Sequence, residues 1–232
     1  MKKEYAQFLL EKTTDDYNLI ASDFSRTREF AWPEIDFLFE KLLEKGDVVL
    51  DLGCGNGRWL ESFKKREVEY FGLDNSEELI KIAQTKYPDT NFIKANALNL
   101  PFSDDYFDKV YSIAVFHQIP SEEFRLRFLK EVKRVLKPGG LLILTVWKFH
   151  QKKTIFSLLK YTILKLLQKS ELDLGDVLYD WGDQTKRYYH IFSQKELVNL
   201  LEKSEFEVQD ISIIKNKEGN RRNIYLIAKK SL

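Results

Sequence analysis

The chain has 232 residues, of which 44% are hydrophobic and 14% aromatic, so it is long enough to bury a sizeable core. Its net charge of +1 argues against a strongly basic protein, and its single cysteine, Cys54, excludes an internal disulfide and a cysteine-cluster metal site. Glu4 follows Met1-Lys2-Lys3 where a signal peptide would have an apolar core, and no apolar run is long enough to cross a membrane, so we expect a cytoplasmic protein.

Helices and strands are predicted to alternate along the chain. Helices are expected over 4–22, 34–44 and 58–65, after the N-cap Ser76, and over 121–136 and 193–203. Strands are expected at 48–50, 70–73, 91–94, 108–113, 141–146, about 206–214 and 223–229. This order predicts an α/β fold with an open, mostly parallel, Rossmann-like seven-stranded sheet and an antiparallel C-terminal hairpin. Residues 1–232 would form one domain, with a helical extension at 1–45 and an insertion at 148–190.

A glycine-rich loop follows the first predicted strand. Residues 51–59 are Asp-Leu-Gly-Cys-Gly-Asn-Gly-Arg-Trp, which places Gly53, Gly55 and Gly57 at alternate positions. Glycines allow a ligand to approach the backbone closely because they lack a Cβ and accept positive φ. The spacing differs from the Gly-x-Gly-x-x-Gly of dinucleotide folds, so it does not indicate a phosphate-binding loop.

Polar residues follow the next two predicted strands. Asp74 and Asn75 come after the second strand, and Asn96-Ala97-Leu98 come after the third. Ligands of open α/β sheets bind beyond the carboxyl ends of the strands, where a carboxylate can accept both hydroxyls of a ribose. Asp74 could instead cap the following helix, although Ser76 is better suited to that role. Leu98 could instead be an ordinary core residue.

Together with Leu100-Pro101-Phe102 and Leu136-Lys137-Pro138-Gly139-Gly140, these motifs resemble those of class I S-adenosylmethionine-dependent methyltransferases. The resemblance implies S-adenosylmethionine as cofactor, S-adenosylhomocysteine as product, and no metal. It assigns the methionine end of the cofactor to the glycine-rich loop. It assigns the ribose to the end of the second predicted strand and the adenine to the end of the third. The implied cofactor-binding residues are Asp51, Gly53, Gly55, Gly57, Asp74, Asn75, Asn96, Ala97 and Leu98.

The segments on either side of this core carry a narrower resemblance. They are Phe24-Ser25-Arg26-Thr27-Arg28 with Trp32-Pro33, Val115-Phe116-His117-Gln118, and the run from Arg187 to Phe192. They are similar to the tRNA wobble-uridine carboxymethyl O-methyltransferases, which esterify the carboxylate of 5-carboxymethyluridine. The resemblance implies a tRNA anticodon loop as substrate, no DNA partner, and a small zinc-containing activator protein at the sheet edge.

Six residues are the candidates for handling this acceptor. Guanidinium groups bind carboxylates and phosphates through a planar fork, and aromatic side chains stack on splayed RNA bases, as Tyr189 would also do. The candidates are Arg26, Arg28, His117, Arg187, Tyr188 and His190. The alternatives are surface pairs with Asp23 or Glu29 for the first two arginines, and structural roles for the histidines and tyrosines.

Residues 148–170 contain six lysines and no acid. Ile155, Leu159, Ile163, Leu166 and Leu167 recur there at helical spacing, which predicts a basic amphipathic helix. Three roles are open for it: a lid packed on the core, which is the commonest case, a partner-binding helix, or membrane-surface contact through 153–169. The C-terminal segment 215–230 is also basic.

Two other classes of function are alternatives to the tRNA methyltransferase interpretation. A small-molecule or quinone-type methyltransferase would use the same core, but it would not need the Arg-Tyr-Tyr-His run or the basic clusters. A non-catalytic scaffold or RNA-binding subunit would not need Asp74. The sequence therefore favours methyl transfer to a carboxymethylated wobble uridine.

Overall fold

The computed structural model describes residues 1–148, 152–182 and 184–231 of the chain. Helix α1 (Lys3–Thr27) is longer than predicted. A 3-10 turn at Pro33–Ile35 and the short helix α2 (Asp36–Glu40) replace the single helix predicted over 34–44. Proline lacks a backbone N–H, which suits it to this opening turn.

A seven-stranded sheet forms the centre of the molecule, in the order β3-β2-β1-β4-β5-β9-β8. The strands β1 to β5 are parallel, and β9 and β8 continue the sheet as an antiparallel hairpin. The predicted fold class is thus confirmed. The strands are β1 (Val48–Leu52), β2 (Glu69–Asp74), β3 (Asn91–Lys94), β4 (Phe107–Ile113), β5 (Leu136–Trp147), β8 (Phe206–Lys215) and β9 (Arg222–Lys230).

Four helices connect these strands: α3 (Leu60–Lys64), α4 (Glu77–Lys86), α5 (Glu122–Val135) and α7 (Gln194–Lys203). Serine side chains cap the last three, and the expected cap Ser76 accepts the N–H of Leu79 at 3.2 Å. Apolar side chains pack on both faces of the sheet in two clusters, as a parallel sheet requires.

The segment 152–190 forms a helix and a second, two-stranded sheet. Helix α6 (Lys152–Leu166) is followed by β6 (Asp176–Trp181) and β7 (Thr185–His190), which pair antiparallel. The sequence did not predict these strands. Residues 149–151 and 183 of the predicted insertion lie outside the described residues. No helix among the described residues is long and apolar enough to cross a membrane.

Candidate active site

A pocket opens at the carboxyl ends of β1, β2 and β4. The loop after β1 forms its floor, and the segments after β2, β3 and β4 form its sides. Helix α1 contributes Thr13, Tyr17 and Phe24 to the wall, which the sequence did not predict. We call this cavity the first pocket.

The glycines of the loop fall into two roles. Gly53 and Gly55 line the first pocket with φ of +85° and +56°, in the left-handed region where glycine is favoured. A Cβ on Gly53 would lie 2.2 Å from Val115 Cγ2, so no side chain fits there. Gly57 does not line the pocket. A Cβ there would lie 2.9 Å from Phe92 Cζ, so this glycine permits close packing behind the loop, and we revise its predicted contact with a ligand.

Asp74 joins the glycine loop to the start of α4. Its Oδ2 accepts the N–H of Gly55 at 2.9 Å and its Oδ1 accepts the N–H of Ser76 at 2.9 Å. Burial raises the pKa of this carboxyl, and the backbone N–H groups of Ser76, Gly55 and Asn75 counteract that rise. A carboxylate has about four acceptor positions in all, and the residue lines the first pocket, so it can accept a ligand hydroxyl. The neighbouring Asn75 also lines the pocket and donates to Thr14 Oγ1 at 2.6 Å.

The segment after β3 is only partly as predicted. Asn96 and Ala97 line the first pocket. The Asn96 Oδ1 accepts the N–H of Leu98 at 2.8 Å, which turns the Leu98 side chain into the core. Leu98 is 3% exposed and does not line the pocket, so its expected packing on a ligand ring is replaced by the core role.

Asp51 lies beneath the glycine loop and does not line the pocket. Its Oδ2 accepts the hydroxyl of Tyr70 at 3.0 Å, while Oδ1 has no hydrogen-bond partner among the described residues. Burial raises the pKa of this carboxyl to about 7. Its predicted direct contact with a ligand is therefore replaced by a buried position within β1, where it joins this strand to Tyr70 of β2.

Arg58 lies at the site, although the sequence places it only at the start of a helix. Its guanidinium Cζ lies 4.5 Å from the ring centroid of Trp32 and 4.9 Å from that of Trp59. The buried Nη1 has no partner among the described residues, and Arg58 lines the first pocket. Burial lowers its pKa to about 10, which leaves it protonated at neutral pH. A carboxylate in the first pocket would satisfy this cation.

A second pocket adjoins the first. Arg28, Trp32 and Trp147 line both cavities and form the boundary between them. The remaining wall of the second pocket is aromatic and cationic, a composition suited to a flat anionic ligand. Its other lining residues are Thr27, Phe30, Ala31, Lys148, Tyr179, Trp181, Arg187, Asn220, Arg221 and Arg222.

Arg28 and Arg187 lie on one indole in the second pocket. The Arg187 Cζ is 4.1 Å from the Trp181 ring centroid, and the Arg28 Cζ is 5.3 Å from it. Within the described residues neither guanidinium pairs with a carboxylate. Arg187 donates to Tyr17 Oη at 2.9 Å, and Arg28 to the carbonyl of Thr27 at 3.1 Å. Burial, followed by the charge of Arg187, lowers the pKa of Arg28, as expected for two cations that lack a counter-ion.

Two other predicted substrate residues do not line either pocket. Arg26 is exposed and forms a surface ion pair with Asp23 at 3.2 Å, so its expected role at the acceptor is replaced by that alternative. His117 is fully buried, and its ring lies 5.0 Å from Trp147 and 5.4 Å from Tyr189. Burial lowers its pKa to about 3, so it is neutral and supports Trp147 from behind.

Tyr188 and His190 belong to a buried polar network away from the pockets. Tyr188 donates to Asp176 Oδ1 at 2.6 Å and accepts from Arg125 at 2.9 Å. The two ring nitrogens of His190 contact Asp176 and Glu196, each at 2.7 Å. The network fastens the two-stranded sheet to α5 and α7, so the predicted contacts of Tyr188 and His190 with substrate are revised to structural roles. Tyr189 is also buried and cannot stack on a base.

Comparison with known proteins identifies the central region. Residues 50–144 match a family model described as a methyltransferase domain. A protein of Encephalitozoon cuniculi named as a methyltransferase is 33% identical over 196 residues, which cover 84% of this chain and 86% of that protein. The tRNA (carboxymethyluridine(34)-5-O)-methyltransferase of Arabidopsis thaliana is 39% identical over 138 residues. That match covers 60% of this chain but only 33% of the Arabidopsis protein.

Solved structures share the fold. The crystal structure of an S-adenosylmethionine-dependent methyltransferase from Methanosarcina mazei has a TM-score of 0.74 and 28% identity, covering 88% of this chain and 99% of that one. A methyltransferase of Haloferax volcanii, solved in complex with the activator Trm112, has a TM-score of 0.71 and 18% identity. That match covers 95% of this chain and 98% of the other, and at such low identity it shows the fold alone.

Proposed function

Because the chain belongs to the family of class I S-adenosylmethionine-dependent methyltransferases, we propose that it methylates the carboxylate of a carboxymethylated wobble uridine in tRNA. The observation that carries this proposal is the pair of carboxylate-free guanidiniums beside the first pocket, of which Arg187 is buried and Arg28 is half-buried. Two such cations at the boundary between the pockets favour an anionic acceptor. The name of the Arabidopsis relative supplies the acceptor class.

The first pocket fits the cofactor. Gly53 and Gly55 leave room for a ligand against the backbone, Asp74 would accept the ribose hydroxyls, and Arg58 would pair with the amino-acid carboxylate. When bound, S-adenosylmethionine supplies a methyl group on a sulfonium, whose leaving group is neutral.

The residues between the pockets would align the acceptor and exclude water. Arg28 and Arg187 would hold one carboxylate through charge-assisted hydrogen bonds, which fixes the direction of an oxygen lone pair. Trp32 and Trp147 line both pockets and would exclude water from the boundary between them. A carboxylate is already anionic at neutral pH, so no general base is required. The neutral, buried His117 agrees with this requirement because it would be a poor proton acceptor.

Aromatic side chains of the second pocket would contact the uridine. Trp181 and Phe30 line it, and Phe30 is 78% exposed, which leaves its ring available for stacking on an unpaired base. The hairpin residue Arg222 lies at the same rim and would approach the RNA backbone.

We also propose that a small zinc-containing activator adds to a sheet edge. The strand β3 forms one edge of the seven-stranded sheet, and an edge strand can pair with a strand of another chain. The likeness to the Haloferax protein, which was solved with an activator, motivates the proposal.

Nucleoside mass spectrometry tests the acceptor. The tRNA of cells that lack the gene should lose the methyl ester of 5-carboxymethyluridine and accumulate the free acid. The wild-type gene should restore the ester, whereas a gene carrying Asp74→Ala should restore less of it because cofactor binding is weakened. Unchanged nucleosides in the deletion strain would discard this acceptor.

A further inference from the structure

The outer face of α6 is a continuous apolar surface. Six large hydrophobic side chains on and just after the helix are more than half exposed. With 3.6 residues per turn they fall within an arc of roughly 120°. We call this surface the α6 stripe: Ile155 at 51%, Phe156 at 71%, Leu159 at 53%, Ile163 at 55%, Leu166 at 72% and Leu167 at 59% exposure.

The opposite face of α6 packs on the protein. Thr154 is 1% exposed, and Tyr161 packs on the small cluster formed by Leu9, Leu172 and Tyr188. Among the residues of α6 whose side chains the structure describes, 154–166, none lines either pocket. The α6 stripe therefore points away from the body of the protein and does not form the lid over the site that the sequence favoured.

The α6 segment itself carries only positive charge, and the nearby acids lie on other parts of the chain, where Asp180 acts on Tyr161 and Glu171 acts on Tyr5. Residues 148–170 contain six lysines and no acid. Lys160 and Lys169 are exposed along the helix and just beyond its end. Asp173, an acid that follows the helix, is already paired with the Met1 amino group and lies 3.6 Å from Lys165. The partner of this face must therefore offer both an apolar layer and negative charge.

Among candidate partners, a lipid surface meets both requirements. A second copy of the chain would bring one lysine-rich helix against another, and RNA offers phosphates but no apolar layer for six aliphatic and aromatic side chains. We propose that α6 lies on the surface of a membrane containing anionic lipids, with the stripe in the acyl-chain boundary and the lysines at the headgroups. This contact is independent of the methyl-transfer proposal.

Vesicle co-sedimentation tests the contact. The protein is mixed with vesicles of phosphatidylcholine alone or of phosphatidylcholine with phosphatidylserine. We expect binding to the anionic vesicles and at least about tenfold weaker partition to the neutral ones. The double variant Leu159→Ser/Ile163→Ser should lose about tenfold or more of that partition. Leu19→Ser is the matched control, because Leu19 is 66% exposed on α1 outside the stripe. Calorimetry with S-adenosylmethionine, whose pocket α6 does not line, checks that each variant is folded.

A second, charge-reversal variant, Lys160→Glu/Lys169→Glu, tests the contribution of the lysines to vesicle binding. Lys130→Glu on α5 is its control. Loss of anionic-vesicle binding in both the apolar and the charge variants supports the proposal. Absence of binding to either vesicle would overturn it. The proposal would also be overturned if the apolar variant still bound anionic vesicles as the wild type does while the charge variant bound tRNA less tightly. The face would then be an RNA-binding surface. The proposal would equally be overturned if the wild type formed a dimer without lipid and the apolar variant were monomeric, since a second copy of the chain would then cover the stripe.

Discussion

Arg58 and Arg187 are largely buried guanidiniums with N–H groups that lack partners among the described residues. Arg125 shows the contrasting case, because it contacts Asp176 and Tyr188 within the core. A buried cation without a counter-ion is costly to the fold, so its persistence at a pocket wall indicates a ligand that supplies the anion. The two residues would bind different ligands, since Arg58 lines only the first pocket and Arg187 lines only the second.

Replacing Arg58 should therefore separate cofactor binding from folding. We expect Arg58→Met to weaken S-adenosylmethionine binding by about 10- to 100-fold, the effect of losing a charge-assisted hydrogen bond. Its thermal stability without ligand should be equal to or above that of the wild type, because an unpaired buried charge is removed. Isothermal titration calorimetry measures the affinity, and Arg187→Met is the matched control. Equal affinity losses in both variants would count against the division of roles.

His117 gives a prediction for the pH dependence of stability. Its pKa falls from 6.5 to about 3 on burial, so between these values the unfolded chain binds a proton that the folded chain excludes. Stability should thus fall as pH drops below 6.5, by up to about 1.4 kcal/mol per pH unit. Asp51, whose pKa is raised to about 7, contributes with the opposite sign, because its stabilisation is present at low pH and is lost as pH rises through 7.

The variant His117→Phe isolates the contribution of the histidine to the pH dependence of stability, since the wild type and the variant both contain Asp51. Phenylalanine would keep the ring contacts with Trp147 and Tyr189 and bind no proton. Urea denaturation between pH 4 and 7 should show a smaller acid-side loss of unfolding free energy in the variant. Parallel pH profiles would mean that His117 is protonated in the folded protein.

Two elements beside the central sheet position the residues proposed to bind the acceptor. The end of α1 is tied to the glycine loop, because Asn56 Nδ2 donates to Ser25 Oγ at 3.0 Å and to the carbonyl of Arg28 at 3.3 Å. The two-stranded sheet carries Trp181 and Arg187 on β6 and β7, and the Asp176 network anchors it. These contacts hold the two guanidiniums at one indole.

Breaking that anchor should destabilise the chain strongly. We expect Asp176→Leu to lower the free energy of unfolding by about 3–5 kcal/mol, because it leaves the buried Arg125 without its carboxylate. Tyr188→Phe removes one hydrogen-bonding hydroxyl and should cost only about 1–2 kcal/mol. Chemical denaturation of both variants gives the comparison. A similar small loss in each would show that Arg125 finds another partner.

At the scale of the whole molecule, the central sheet was largely predictable from the sequence and its periphery was not. Alternating apolar runs and turn signals indicated all seven strands of the sheet, and strand ends located Asp74 and Asn96 at the pocket. The strands β6 and β7 were missed because their aromatic and charged residues lack a clear alternation. Periodicity also identified α6 without telling whether its apolar face is buried or exposed, since both give the same pattern.

The same reasoning explains the misplaced site residues. Tyr188 and His190 stand beside Arg187 in sequence, but consecutive residues of a strand point to opposite faces, so neighbours in the run need not share a pocket. The contribution of α1 to the first pocket depends on how that helix packs on α4 and β7, which no local pattern encodes. Arg58 could have been suspected as the one cation directly after the glycine loop.

Methyl transfer to a synthetic anticodon stem-loop tests the central claim most directly. One stem-loop carries 5-carboxymethyluridine at the wobble position, and the matched control carries the corresponding amide, which has no charge. With purified protein, any activator it requires and S-adenosylmethionine, the acid should gain one methyl group that mild alkali removes as an ester, and the amide should gain none. Arg187→Met should lower the rate on the acid at least about tenfold while cofactor affinity stays unchanged. Methylation of both stem-loops, or an alkali-stable product, would contradict the carboxylate acceptor.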